Sequence, residues 1–144
     1  MVELDHSFSN AKSTEELWKA INDLELLVPC VEGGSVTEKT SDDSVKAQIL
    51  VKMGAMSMKF NGTVEIVEQD AGEHRALMRV KSREAKGQGY ANADVTFTLN
   101  DDGGGGSIHT AAQITGKAAS MGEGVVQSVL DALIKDFTQK LANI

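Results

Sequence analysis

The stretch from Lys117 to Asn143 limits the possible folds more than any other part of the chain. Within it Val126, Leu130, Leu133, Phe137 and Leu141 recur at helical spacing and define one apolar stripe. Val125, Val129 and Ile134 widen that stripe, while Gln127, Asp131, Lys135, Asp136, Gln139 and Lys140 mostly take the other faces. The spacing predicts a helix over the whole span, roughly 40 Å long at ~1.5 Å per residue. Between Gly33 and Thr115 the apolar residues instead alternate with period two, as strands do. Neither element can bury its apolar face alone, so strands must cover the helix. A chain of 144 residues has room for one such domain, residues 1–144, with a real core.

Taken in order, Leu4, His6 and Phe8 alternate with Asp5, Ser7 and Ser9 and predict a short first strand. Ser13-Thr14-Glu15-Glu16 reads as a capping box, so a helix begins there with Leu17, Trp18 and Ile21 on its apolar side. A second short helix over Leu24 to Leu27 must stop near Pro29, because the residue before proline resists the α region. Alternating rows then follow: Val45 to Met53, Met56 to Ile66, Ala76 to Ser82, Ala91 to Leu99 and Ile108 to Ile114. Gly54-Ala55 predicts a tight turn, and Asn100 through Gly106 a loose hairpin connection. Asn61-Gly62 is ambiguous. It is a strong hairpin signal, yet the unbroken parity from Met56 to Ile66 favours one long strand with a bend at Gly62. The order predicts an α+β domain: an antiparallel sheet of about seven strands, curved around a long C-terminal helix, with two short helices after the first strand.

Composition excludes several functions. A net charge of −7 opposes nucleic-acid binding, which needs clustered cations, and simple adhesion to anionic lipid. One cysteine, Cys30, permits neither a disulfide framework nor a cysteine-based zinc cluster, and reads better as a small apolar residue than as a reactive thiol. The N-terminus shows no signal-peptide pattern, and no run approaches the ~20 apolar residues of a membrane span, so a cytoplasmic protein is expected. Gly103 to Gly106 leads into a strand rather than a helix, which rules against a phosphate loop. His6, His74 and His109 lack ligand spacing and read as surface residues, so no metal site is expected. Arg75, Arg79, Lys81 and Arg83 form a basic outer stripe, read as a solvated face paired with carboxylates or as a dock for an acidic partner. No catalytic set can be assembled, so no enzyme activity is expected.

The inward rows are poor in aromatics, which make up 4% of the chain, and rich in alanine and in the six methionines. Small side chains facing a helix either pack closely or leave space for an apolar guest. If they leave space, the lining is predicted to comprise Met53, Met56, Met58, Phe60, Met78, Val80, Ala91, Ala93, Val95, Phe97 and Ala112 on the sheet. Met121, Val125, Val126, Val129, Leu130 and Leu133 would face them from the helix.

Several stretches then carry a resemblance. Val28-Pro29, Lys52-Met53-Gly54, Phe60-Asn61-Gly62-Thr63, Ala85-Lys86-Gly87-Gln88-Gly89, Ile114-Thr115-Gly116-Lys117 and Met121-Gly122-Glu123-Gly124-Val125-Val126 together resemble the carbon monoxide dehydrogenase CoxG family. That family lies within the START-like, Bet v 1-like (SRPBCC) helix-grip superfamily. Cys30 stands where such proteins often carry glycine, and Ala55 where proline often follows glycine; both are expected near the cavity mouth. The resemblance implies a non-enzymatic accessory protein to a CO dehydrogenase or related molybdenum hydroxylase. It implies carriage of a lipid or an isoprenoid quinone (menaquinone or ubiquinone), and membrane recruitment or electron-acceptor delivery at the inner face of the membrane. Longer relatives carry an apolar, membrane-directed C-terminal extension. This chain ends at Ile144, which makes it a short member or a truncated one. Two alternatives stand beside this reading: a ligand-free assembly or recruitment module, and a small cyclase- or hydrolase-like enzyme.

Overall fold

Ser13 opens the first helix where the capping signal puts it. The computed structural model describes residues 1–144, and in it the Ser13 hydroxyl accepts from the Glu16 N–H at 3.2 Å. The Glu16 carboxylate answers by accepting from the Ser13 hydroxyl at 3.1 Å. The chain runs β1 (Val2–Ser9), α1 (Thr14–Ile21), α2 (Leu24–Leu27), a 3-10 turn (Val28–Cys30), β2 (Gly34–Ser41), β3 (Ser44–Met53) and β4 (Met56–Asp70). It continues with β5 (Arg75–Glu84), β6 (Tyr90–Leu99), β7 (Gly105–Ile114), a 3-10 turn (Ala119–Met121) and α3 (Glu123–Leu141). The strands form one antiparallel sheet in the order β1-β7-β6-β5-β4-β3-β2. Consecutive strands are neighbours except β1 and β2, which lie at opposite edges. The helical segment from α1 to the first 3-10 turn spans that gap.

Three expectations need revision, and one ambiguity closes. The C-terminal helix starts at Glu123, not Lys117, because Gly122 takes φ +101°, outside the helical region. At 19 residues it is about 28 Å long rather than 40 Å. Gly105 and Gly106 are not loop: they are the first residues of β7, paired with Ser9 and Phe8 because β1 runs its full length beside them. His6 is not a surface residue. Its side chain is only 9% exposed, because its parity on β1 turns it toward α3. Asn61-Gly62 lies within the 15-residue strand β4, whose register with β3 is unbroken from Glu65 to Met56.

Two apolar clusters hold the concave side. The larger joins Phe8, Leu17, Ile21, Leu24 and Leu27 to Phe97, Ile108, Phe137 and Leu141, packing α1, α2 and the C-terminal part of α3 on the sheet. The smaller joins Met53, Met58 and Phe60 to Ala118, just before α3. Burying each large aliphatic side chain stabilises the fold by about 1.5–3 kcal/mol.

A polar seam ties α3 to the sheet edge. His6 Nε2 donates to Asp131 Oδ1 at 2.7 Å, and Lys135 approaches the other oxygen at 3.0 Å. Lys135 first, and His6 second, hold the Asp131 carboxyl below its ordinary value of 3.8. A depressed carboxylate contributes stability above its unfolded value and loses it as pH falls through the folded one. Asp131→Asn is therefore expected to lower the melting temperature at neutral pH. Well below pH 3.8 the variant and wild type should converge. Thermal melts at both ends of that range check this, and a gap that stays constant into acid would show that the charge is not what matters.

Candidate functional site: an apolar hollow between sheet and helix

The strand register gathers small side chains into a band across the middle of the sheet. One row runs Ala47, Gly62, Ser82 and Ala91 over β3 to β6. The next runs Val64, Val80, Ala93 and Ala112 over β4 to β7. Opposite this band α3 presents Leu130, Leu133 and Ile134. Too little side-chain volume meets in between, and a hollow of about 250 Å³ remains. Burial along α3 records the gap. Val126, Phe137 and Leu141 toward the ends are buried, whereas Leu130, Leu133 and Ile134 in the middle are only half-buried. Val64, Val80, Ala93 and Val95 are likewise half-buried although their strands lie inside the sheet. A close-packed core would leave no such surface. At one end Phe97 and Phe137 meet edge to face at 6.2 Å and join sheet to helix.

Nine predicted lining residues belong to the wall: Phe60, Met78, Val80, Ala93, Val95, Phe97, Ala112, Leu130 and Leu133. The other eight lie elsewhere. Met53 and Met58 are buried in the smaller cluster, with Ala91, Met121 and Val129 packed against it. Met56 is half-buried opposite Met53 at the β3–β4 turn, Val126 is buried outside the wall, and Val125 is 41% exposed. Parity assigned these residues to a face, but position along the strand decides which compartment a side chain enters. The methionines fall at the β3–β4 end, which the segment before α3 covers.

The wall also holds residues that the alternation did not single out. Leu27, Val28 and Val31 come from the helical crossing, which carries no cavity signal in its sequence. Ala47, Ile49, Val64, Ile108 and Thr110 sit on inward rows, and Ile134 and Phe137 on the helix stripe, so their pattern was readable. Cys30 lies half-buried between wall residues Val28 and Val31, and burial pushes its thiol up, which disfavours the reactive thiolate. Ala55 is exposed in the β3–β4 turn and takes no part in the wall.

No ionisable side chain lines the hollow. Its polar members are Gln48, Thr63, Ser82 and Thr110. Gln48 and Thr63 occupy alternate positions to Ala47 and Gly62, so their side chains leave by the outer face. The Ser82 hydroxyl donates to the Ala91 carbonyl at 2.6 Å. The Thr110 hydroxyl is buried and has no partner. On the outer face the basic stripe is partly neutralised: Arg79 pairs with Asp94 at 2.9 Å and Arg75 with Glu68 at 3.5 Å. Of the other histidines, His109 donates to Asp5 at 2.7 Å and His74 to Glu15 at 3.0 Å, both away from the hollow. No three His, Cys, Asp or Glu side chains converge as metal ligands would.

The family model of the carbon monoxide dehydrogenase CoxG subunit matches residues 7–143. The chain belongs to the CoxG family. No curated protein matches this CoxG-family chain by sequence. Solved structures share its fold. A conserved protein from Geobacillus kaustophilus superposes with a TM-score of 0.80 at 23% identity, over 98% of this chain and 91% of its own. The Zhui aromatase/cyclase from a Streptomyces species gives 0.64 at 9% identity, over 99% and 92%. A START superfamily protein from Mycobacterium smegmatis gives 0.61 at 11%, over 98% and 94%. At these identities the likeness establishes the START-like helix-grip architecture and nothing about chemistry. No helix of this CoxG-family chain is long and apolar enough to cross a membrane.

Proposed function

We propose that this CoxG-family chain is a non-enzymatic accessory protein that carries a neutral, apolar ligand in the hollow between sheet and α3. The observation that carries the reading is an unfilled, almost wholly apolar space whose wall holds no titratable side chain. Such a wall supplies neither an acid, a base nor a nucleophile, which catalysis of the cyclase or hydrolase kind requires. A ligand-free assembly module would have no reason to leave the space open. An isoprenoid quinone or a lipid is the guest, and the family's name points to a CO dehydrogenase or a related molybdenum hydroxylase as the partner served. The service is electron-acceptor delivery or membrane recruitment, with the chain in peripheral contact with the bilayer.

Size refines the proposal. An engineered cavity of about 150 Å³ accepts benzene. The hollow of 250 Å³ therefore holds a ring with its first substituents, and a long prenyl or acyl tail has to leave through the mouth. Native mass spectrometry of protein purified from a quinone-containing host, with calorimetric titration of menadione, tests the reading. Retention of a quinone or lipid and saturable uptake of menadione are expected. A protein that arrives empty and takes up no menadione would overturn it. Capture of a CO dehydrogenase on the immobilised chain checks the partner separately.

A further inference from the structure

The hollow has one polar handle. Thr110 lies in the middle of β7, only 5% exposed, and its hydroxyl is buried without a hydrogen-bond partner. Every other polar group of the wall is satisfied or directed outward. The Ser82 hydroxyl donates to Ala91, and Gln48 and Thr63 point to the convex face. An orphan hydroxyl in an apolar wall is costly to the empty protein, since burial has stripped its water and nothing replaces it. Ordered water is a poor remedy here. A buried water needs two to four polar partners, and this wall offers it one.

We infer that Thr110 is a ligand-orienting residue whose Oγ–H donates to a carbonyl oxygen on a neutral ring bound in the hollow. This rests on the proposal that the hollow takes a ligand, and it adds which chemical feature the ligand carries and where that feature sits. The donor count selects the carbonyl. A ligand carbonyl is acceptor-only and is satisfied by the single donor available. A ligand hydroxyl would bring a second donor, and with one hydroxyl facing it one proton would stay unpaired. A carboxylate would need a cation or several N–H groups, and the wall supplies neither. A plain hydrocarbon would fill the space but leave Thr110 unsatisfied. The register fixes the end at which the oxygen sits. Thr110 pairs with Val95 on β6 and Leu4 on β1, so the carbonyl lies toward the β1–α3 seam. The ring then extends over Ala93 and Ala112.

The test compares two probes of similar shape, menadione and methylnaphthalene, on wild type, Thr110→Val and Thr110→Ser. Thr110→Val keeps the shape and removes the hydroxyl, so the variant is expected to melt at or above the wild-type temperature. Menadione affinity should fall about threefold to tenfold in Thr110→Val, the worth of one neutral hydrogen bond. Methylnaphthalene affinity should not change, and Thr110→Ser should keep the menadione preference. Equal menadione binding by wild type and Thr110→Val would overturn the inference while leaving the carrier function intact. Binding of neither probe by wild type would overturn both. Should Thr110→Val fail to fold, wild type alone decides, because equal affinity for the two probes refutes a donor in the wall.

Discussion

Ala93→Trp is expected to abolish menadione uptake while changing the melting temperature by only a few degrees. Ala93 sits near the centre of β6, half-buried, between Val80 and Ala112 and beneath the middle of α3. An indole built there enters space that no side chain occupies, so it takes the volume a guest would use. Overpacking a full core costs about 1–3 kcal/mol or more. Here the added apolar contact offsets most of the strain, leaving a net change of about 1 kcal/mol, or roughly 2–4 °C for a chain of this size. Melts with and without menadione separate the alternatives. Wild type should be stabilised by the ligand and the variant should not. A large loss of stability in the ligand-free variant would mean that the hollow closes at this position.

A comparable effect is expected on folding. Gly62→Ala should destabilise the protein by about 3–5 kcal/mol, the sum of a backbone clash and the ladder hydrogen bonds it opens. A Cβ at Gly62 would stand 1.9 Å from the Lys81 carbonyl oxygen and 2.6 Å from the Ser82 Cα. Both are backbone atoms of the adjacent strand β5, so no rotamer change relieves the contact. Gly124→Ala is the natural control. That glycine lies in the first turn of α3 with nothing within 4 Å of a built Cβ, and alanine there should stabilise by about 0.5–1 kcal/mol. Urea unfolding midpoints of the two variants check the contrast. A tolerated Gly62→Ala would mean that β4 and β5 are less closely apposed at the bend than the ladder describes.

These two positions also show where sequence reading stops. Ala93 is legible as an inward, small residue, because its parity with Ala91 and Val95 is unbroken. Nothing in its neighbourhood along the chain says whether the volume it leaves is filled from across the core. Gly62 is legible as either a turn or a bend. The choice falls to β4 because Ala47, Ile49 and Val51 on β3 pair with Gly62, Phe60 and Met58 in one continuous register. A turn there would break ladder pairs on both sides. The methionines make the same point from the other direction. Met53, Met56 and Met58 carry the inward parity and the adaptable chemistry of a lining, yet they pack with Ala118 and Met121 into a separate cluster.

The elements and their faces are written along the chain. Local causes suffice for those: the Ser13 cap, the stop at Pro29, the period-two rows and the helical stripe from Val126 to Leu141. The order of those elements, with short connections between antiparallel neighbours, also implies the sheet curved around α3. Three features emerge only once the chain is folded: the start of α3 at Gly122, the burial of His6 against Asp131, and the stretch of the concave face that stays unfilled. One cause underlies all three. Parity and periodicity say which way a side chain points, whereas a hollow is a deficit of volume summed over seven strands and a helix. That sum depends on register, on sheet curvature and on where the His6–Asp131 seam holds α3 above Ala93, Ala112 and Thr110.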